Sequence, residues 1–184
     1  RRHTRCSRDW SSDVCSSDLD KAEVQDLMAA VEALLSPANH LALAHALRSP
    51  MFGAQDADLL WLLSQLPSPQ AAWMPVLLAC ADGDHAPDSL KRAATCFAAW
   101  QTVLTALPPH DLLERIVRDT DLRSALARKV PDGQWQAACF HVDALLAHSL
   151  AVQSGRDLTP YGWLRALRRD PPKLPPRAVK AAVQ

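Results

Sequence analysis

Glycine is scarce, with five among 184 residues, and none stand at phosphate-loop spacing. Neither G-x-x-x-x-G-K-[ST] nor G-x-G-x-x-G occurs, so this stretch holds no nucleotide loop of either kind. No apolar run is long enough to span a bilayer as a helix. Neither charge sign dominates: 20 Lys and Arg face 20 Asp and Glu, which excludes a polybasic or polyacidic chain. No segment keeps up the alternation of a half-buried strand, so no sheet is expected. Of five cysteines, Cys80, Cys96 and Cys139 fall in the body of the chain, widely spaced and inside apolar segments. They read as small buried hydrophobes of a reducing cytoplasm rather than a disulfide framework or a metal set.

The first residues differ from the rest. Residues 9–19, DWSSDVCSSDL, pack Ser and Asp around one Trp with neither helical nor strand period. A secretory signal is excluded because RRHTRCSR is followed by no apolar core. A disordered native tail is chemically acceptable. The segment also resembles, residue for residue, a short-read sequencing adapter translated in one frame. On that reading residues 1–19 are not native, the true protein starts further upstream, and the chain is a fragment. They are set aside from the fold.

From Asp20 the pattern is helical. Val24, Leu27, Met28, Val31, Leu34 and Leu35 recur at steps of three and four, one apolar stripe. Ser36-Pro37 breaks it, and Pro37 is expected in the first turn of the next helix. Pro50 and Gly53 predict a turn, and Asp56 is expected to cap the helix that follows. Pro75 falls in the first turn of another. A long helix is expected from Leu90 through Phe97 and Leu104 to Leu107. LPPHD precedes two short amphipathic helices, and Pro131 to Gly133 precedes the longest helix, with Trp135, Val142 and Leu145 inward. Thr159-Pro160 predicts the cap and first position of a last helix through Leu167. The expectation is an all-α, irregular multi-helix bundle. Its core takes Leu27, Val31, Leu34, Leu47, Leu59, Leu62, Phe97, Leu104, Val142 and Leu145.

Catalytic patterns are missing. His40 and His45 are five apart, not the four that puts two zinc ligands on one helical face. His141 and His148 share a side but have no cluster of acids or thiols near them in sequence, and read as surface or core-edge residues. Asp82, Asp84 and Asp88 lack the spacing and terminal Glu of a calcium loop. Catalytic, cofactor and metal residues are therefore all expected to be none.

One passage is more specific. VQDLMAAVEALLSPANHLALAHALRSPMFGAQDADLLWLL, residues 24–63, resembles the RecB and AddA branch of UvrD-like superfamily 1 DNA helicases. The matching features are Ser36-Pro37, then the helix ending Leu47-Arg48-Ser49-Pro50-Met51-Phe52-Gly53, then Asp56, Asp58 and Leu59. LPPHDLLERIVRDTDLRSAL, residues 107–126, is similar to a later passage of that branch. The resemblance implies that residues 20–170 form the mainly helical accessory (2B) subdomain and that residues 171–184 lead back to the motor. It implies a parent that is an ATP-dependent 3′–5′ DNA helicase, with exonuclease activity in some members, of double-strand-break repair. ATP and magnesium would bind the parent's motor, outside this chain, and the partners would be DNA and a subunit of a helicase–nuclease complex, with no membrane. The LRSP passage carries no catalytic role over.

From Asp20 on, the one basic concentration is near the end. Arg165, Arg168 and Arg169 close the last expected helix, and Lys173, Arg177 and Lys180 follow in DPPKLPPRAVK, where Asp170 is the only acid. Arg165, Arg168, Arg169 and Lys173 are the candidate DNA-binding residues. Cations at a helix C-terminus are also favoured by the dipole alone. The alternative to the helicase reading is a free-standing helical protein-interaction module without nucleotide chemistry.

Overall fold

A computed structural model of the chain describes residues 21–131, 133–152 and 159–169. Among these residues the fold is all-α, nine helices and no strand. They are α1 (Ala22–Leu35), α2 (His40–Arg48), α3 (Asp56–Ser64), α4 (Trp73–Ala79), α5 (Asp88–Val103), α6 (Pro109–Asp119), α7 (Leu122–Lys129), α8 (Trp135–Ala151) and α9 (Pro160–Arg169). A 3₁₀ turn, Cys80–Asp82, prolongs α4. No helix among the described residues is long and apolar enough to cross a membrane. The expectations for residues 1–19 and 171–184 lie outside the described residues.

α1 is the central helix, packed against α2, α5, α6, α8 and α9. Its sequence explains this. Ala29, Ala30 and Ala33 add a second buried strip beside Leu27, Val31 and Leu34, and a helix apolar on more than one side is covered on more than one side. Of the expected core, Leu27, Val31, Leu34, Leu47, Leu62, Phe97, Val142 and Leu145 are buried. Leu59 and Leu104 are only partly so. Leu104 misses because α5 ends at Val103, short of the expected Leu107, leaving Leu104 on the turn rather than on the helix's inner face.

Two helix starts differ from expectation. α2 begins at His40, where the Asn39 side chain accepts from the Ala42 N–H at 3.1 Å. Asn satisfies an orphan donor that Pro37 has no means to satisfy, so Pro37 stays in the connecting turn. α3 is capped by Gln55, not Asp56: the Gln55 N–H donates to the Asp58 carboxylate at 2.9 Å. Ser89 of α5 donates to the same carboxylate at 2.8 Å, so a tertiary contact holds the group that closes the cap. α9 starts as expected, the Gly162 N–H donating to Thr159 Oγ1 at 3.1 Å.

The LRSPMFG passage is a tightly held turn. Ser49 takes an extended conformation (φ −60°, ψ 166°), as a residue before proline prefers. Its hydroxyl donates to the Ala46 carbonyl at 2.7 Å. Gly53 has φ +67°, which L side chains disfavour. Arg92 of α5 donates to the Phe52 and Met51 carbonyls at 2.8 and 3.3 Å. Phe52 packs on Phe97 and Trp100, with ring centroids 5.8 and 6.1 Å away. These contacts are packing and turn chemistry.

Candidate nucleic-acid interface

α9 is sharply two-sided. Pro160, Trp163, Leu164 and Leu167 are buried, steps of three and four that set one face against the body. The opposite face carries Tyr161, Arg165, Arg168 and Arg169, all exposed. Tyr161 and Arg165 are one turn apart, and Arg168 and Arg169 lie on the next turn, so ring and guanidinium groups share a stripe. Arg165, Arg168 and Arg169 line one concavity of about 390 Å³, with Gly162 and Ala166 as its small-residue floor. Small residues there leave room between long side chains.

The three arginines are not equivalent. Arg168 forms an ion pair with Glu32 of α1. Arg165 and Arg169 have no ionic partner among the described residues. The structure thus brings three of the four candidate residues together, and Lys173, like Arg177 and Lys180, lies outside the described residues. Glu32 and Tyr161 were not picked out from sequence. Nothing local marks Glu32, because its partner is far away in the chain. The spacing of Tyr161 four residues ahead of Arg165 was available as a signal.

Three of the histidines singled out in the sequence have defined neighbours. His40 stacks on Trp73 at 5.2 Å, while His45 meets the Asp26 carboxylate at 2.9 Å. His141 pairs with Glu23, and His148 Nε2 is buried with no hydrogen-bond partner among the described residues. Neither histidine pair converges on a common point. Burial pushes the thiols of Cys80, Cys96 and Cys139 above their ordinary pKa, Asp119 adding to the effect at Cys96. They stay protonated near neutrality and are poor nucleophiles.

A larger groove, about 620 Å³, opens between the α5–α6 turn, the end of α8 and the start of α9. Leu104, Leu107, Leu150, Tyr161 and Trp163 give it apolar walls. His110 and Asp111 line it, and with Glu114 they bring potential metal-ligand atoms within 4.8 Å of one another. Two of these are exposed carboxylates, and Asp111 lies in the first turn of α6, where the helix dipole favours an acid without any ion. His110 Nδ1 is already engaged by the Leu146 carbonyl at 3.0 Å and the Ser149 hydroxyl at 3.1 Å. Nε2, the other ring nitrogen, faces Glu114 at 4.0 Å, and proximity of exposed acids to a histidine does not by itself assign an ion.

No protein-family model matches the chain, and no curated protein matches it either.

Proposed function

We propose that the chain is the DNA-guiding accessory subdomain of an ATP-dependent helicase–exonuclease of the UvrD-like superfamily, RecB and AddA branch, acting in the cytoplasm. The observation that carries this reading is the concavity on α9, walled by Arg165, Arg168 and Arg169. A phosphate backbone is the natural occupant of such a cleft, because guanidinium forks match phosphate oxygens. Exposed Tyr161 adds a ring face for an unpaired base. The LRSP passage and the all-α architecture are compatible with the accessory subdomain, and the chemistry of ATP, with its magnesium, belongs to the motor of the parent. The chain itself contributes contact and guidance, not catalysis.

The test is binding of a labelled duplex by the full chain as salt is varied. Binding is expected to be weak, indifferent to sequence, and to lose about 0.9 in log affinity per log unit of salt for each phosphate engaged. Replacing Arg165 and Arg169 with Glu should abolish it at low salt. A parent chain that does not bind, or a double variant that binds as well, overturns the proposal.

A second reading rests on the apolar groove, where Leu150 and Tyr161 are both exposed. A helical protein-interaction module presents such a surface to a partner. Absence of DNA binding in the same titration favours it.

A further inference from the structure

The arginine cleft on α9 has a competitor within the chain. Of its three arginines, Arg168 is the one with an anionic partner among the described residues, and that partner, Glu32, belongs to α1 rather than to α9. The Arg168 side chain is 60 % exposed and that of Glu32 23 %. The guanidinium is therefore open to solvent while it holds the carboxylate. A guanidinium carries five N–H donors, and a surface ion pair contributes little to stability. Phosphate oxygens present the same forked acceptor geometry as a carboxylate, with more charge.

We propose that Glu32 is an internal stand-in for a DNA phosphate: it holds Arg168 in the free protein and competes with the backbone for that guanidinium. This rests on the nucleic-acid reading of the cleft. Displacement leaves Glu32 as an unpaired acid facing the incoming polyanion, so it weakens binding twice, by occupying Arg168 and by repelling the strand. Glu32 thereby sets the affinity of the cleft, keeping it low enough for DNA to slide past. It is a positioning and affinity-setting residue, not a catalytic one.

The experiment measures duplex binding by the full chain in four forms: parent, Glu32→Gln, Arg168→Gln and the double variant. Glu32→Gln is expected to bind about two- to fivefold tighter, the equilibrium worth of a surface ion pair, and to steepen the log–log salt slope by up to about 0.9, one phosphate contact. In the Arg168→Gln background the same change should have little effect, because no guanidinium remains to be freed. Glu114→Gln, an identical loss of charge on α6, controls for the general field. If the Gln variant folds poorly by thermal midpoint, Glu32→Asp withdraws the carboxylate and should act in the same direction. Tightening that persists in the Arg168→Gln background, or that Glu114→Gln reproduces, overturns the role of Glu32 and leaves the cleft standing. Absence of binding by both the parent and Glu32→Gln overturns the cleft and this inference together.

Discussion

The carboxylate of Asp26 and the imidazole of His45 meet at 2.9 Å across α1 and α2, the acid 8 % exposed and the ring 45 %. Burial raises the Asp26 pKa from 3.8 to about 6, against the pull of His45 and with a smaller push from Glu23. Glu23 in turn is held by His141 of α8, so two acids on one side of α1 each take a histidine from a different helix.

An acid whose pKa is higher in the folded state favours the fold when protonated. The contribution of Asp26 is therefore full below about pH 4 and lost as pH rises through about 6, on the order of 3 kcal/mol for a shift of this size. Asp26→Asn keeps an acceptor for His45 Nε2 without the buried charge. Its thermal midpoint should exceed the parent's by several degrees at pH 7.5 and converge on it toward pH 4. An offset that is the same at every pH, read from melts across that range, would rule this out.

Phe97 is fully buried and lies 5.3 Å from Trp100, edge to face, as well as against Phe52. Truncation to Ala should cost about 3–5 kcal/mol, read from denaturant titration. Phe97→Leu, which refills most of the volume, should recover at least half. A cost below about 1 kcal/mol would mean that the site collapses or is wet.

Phe97 was readable in the sequence, and the partner of Asp26 was not. Leucine, valine and phenylalanine at steps of three and four name most of the core, Leu59 and Leu104 excepted, and proline marked the breaks. Caps were less legible, because Asn39 and Asp58 act through side chains whose partners depend on where the chain turns next. Asp26 sits directly beside Leu27 on the inner face of α1, and an acid in an apolar stripe signals a buried partner. The identity of that partner, His45, needs the α1–α2 packing, and His141 needs α8. Likewise, the arginines of α9 were plain in the sequence, while Glu32, which holds Arg168 alone of the three among the described residues, became visible only once α9 lay on α1.

Gly53 offers a test of the LRSPMFG turn. Its φ of +67° strains any L side chain, and a Cβ there would collide with Lys129 Nζ. The lysine tip can swing away, so the backbone term should dominate. Gly53→Ala is expected to cost about 1–2 kcal/mol, and adding Lys129→Ala should recover only a small part of it. Full recovery in the double variant would show that the clash, not the conformation, sets the cost.

The last prediction concerns the seam between α5 and α6. Trp100 is fully buried, and its indole N–H donates to Asp119 Oδ2 at 3.0 Å, an oxygen that also accepts from Arg115 Nε at 3.2 Å. Arg118 approaches the other oxygen at 3.5 Å. The carboxylate thus accepts from a buried donor on one side and is neutralised by two surface arginines on the other. Asp119→Ala leaves the indole N–H buried without an acceptor, which should cost about 1–3 kcal/mol. Asp119→Asn retains an oxygen for Trp100 and loses only the surface pairing, worth about 0–1 kcal/mol, so most of the stability should return. Raising salt should narrow the gap between parent and Asn variant while leaving the Ala variant's deficit largely in place, since screening acts on the exposed pairs and not on the buried donor. Equal losses for Ala and Asn in denaturant titrations would assign the effect to the arginines instead of the indole.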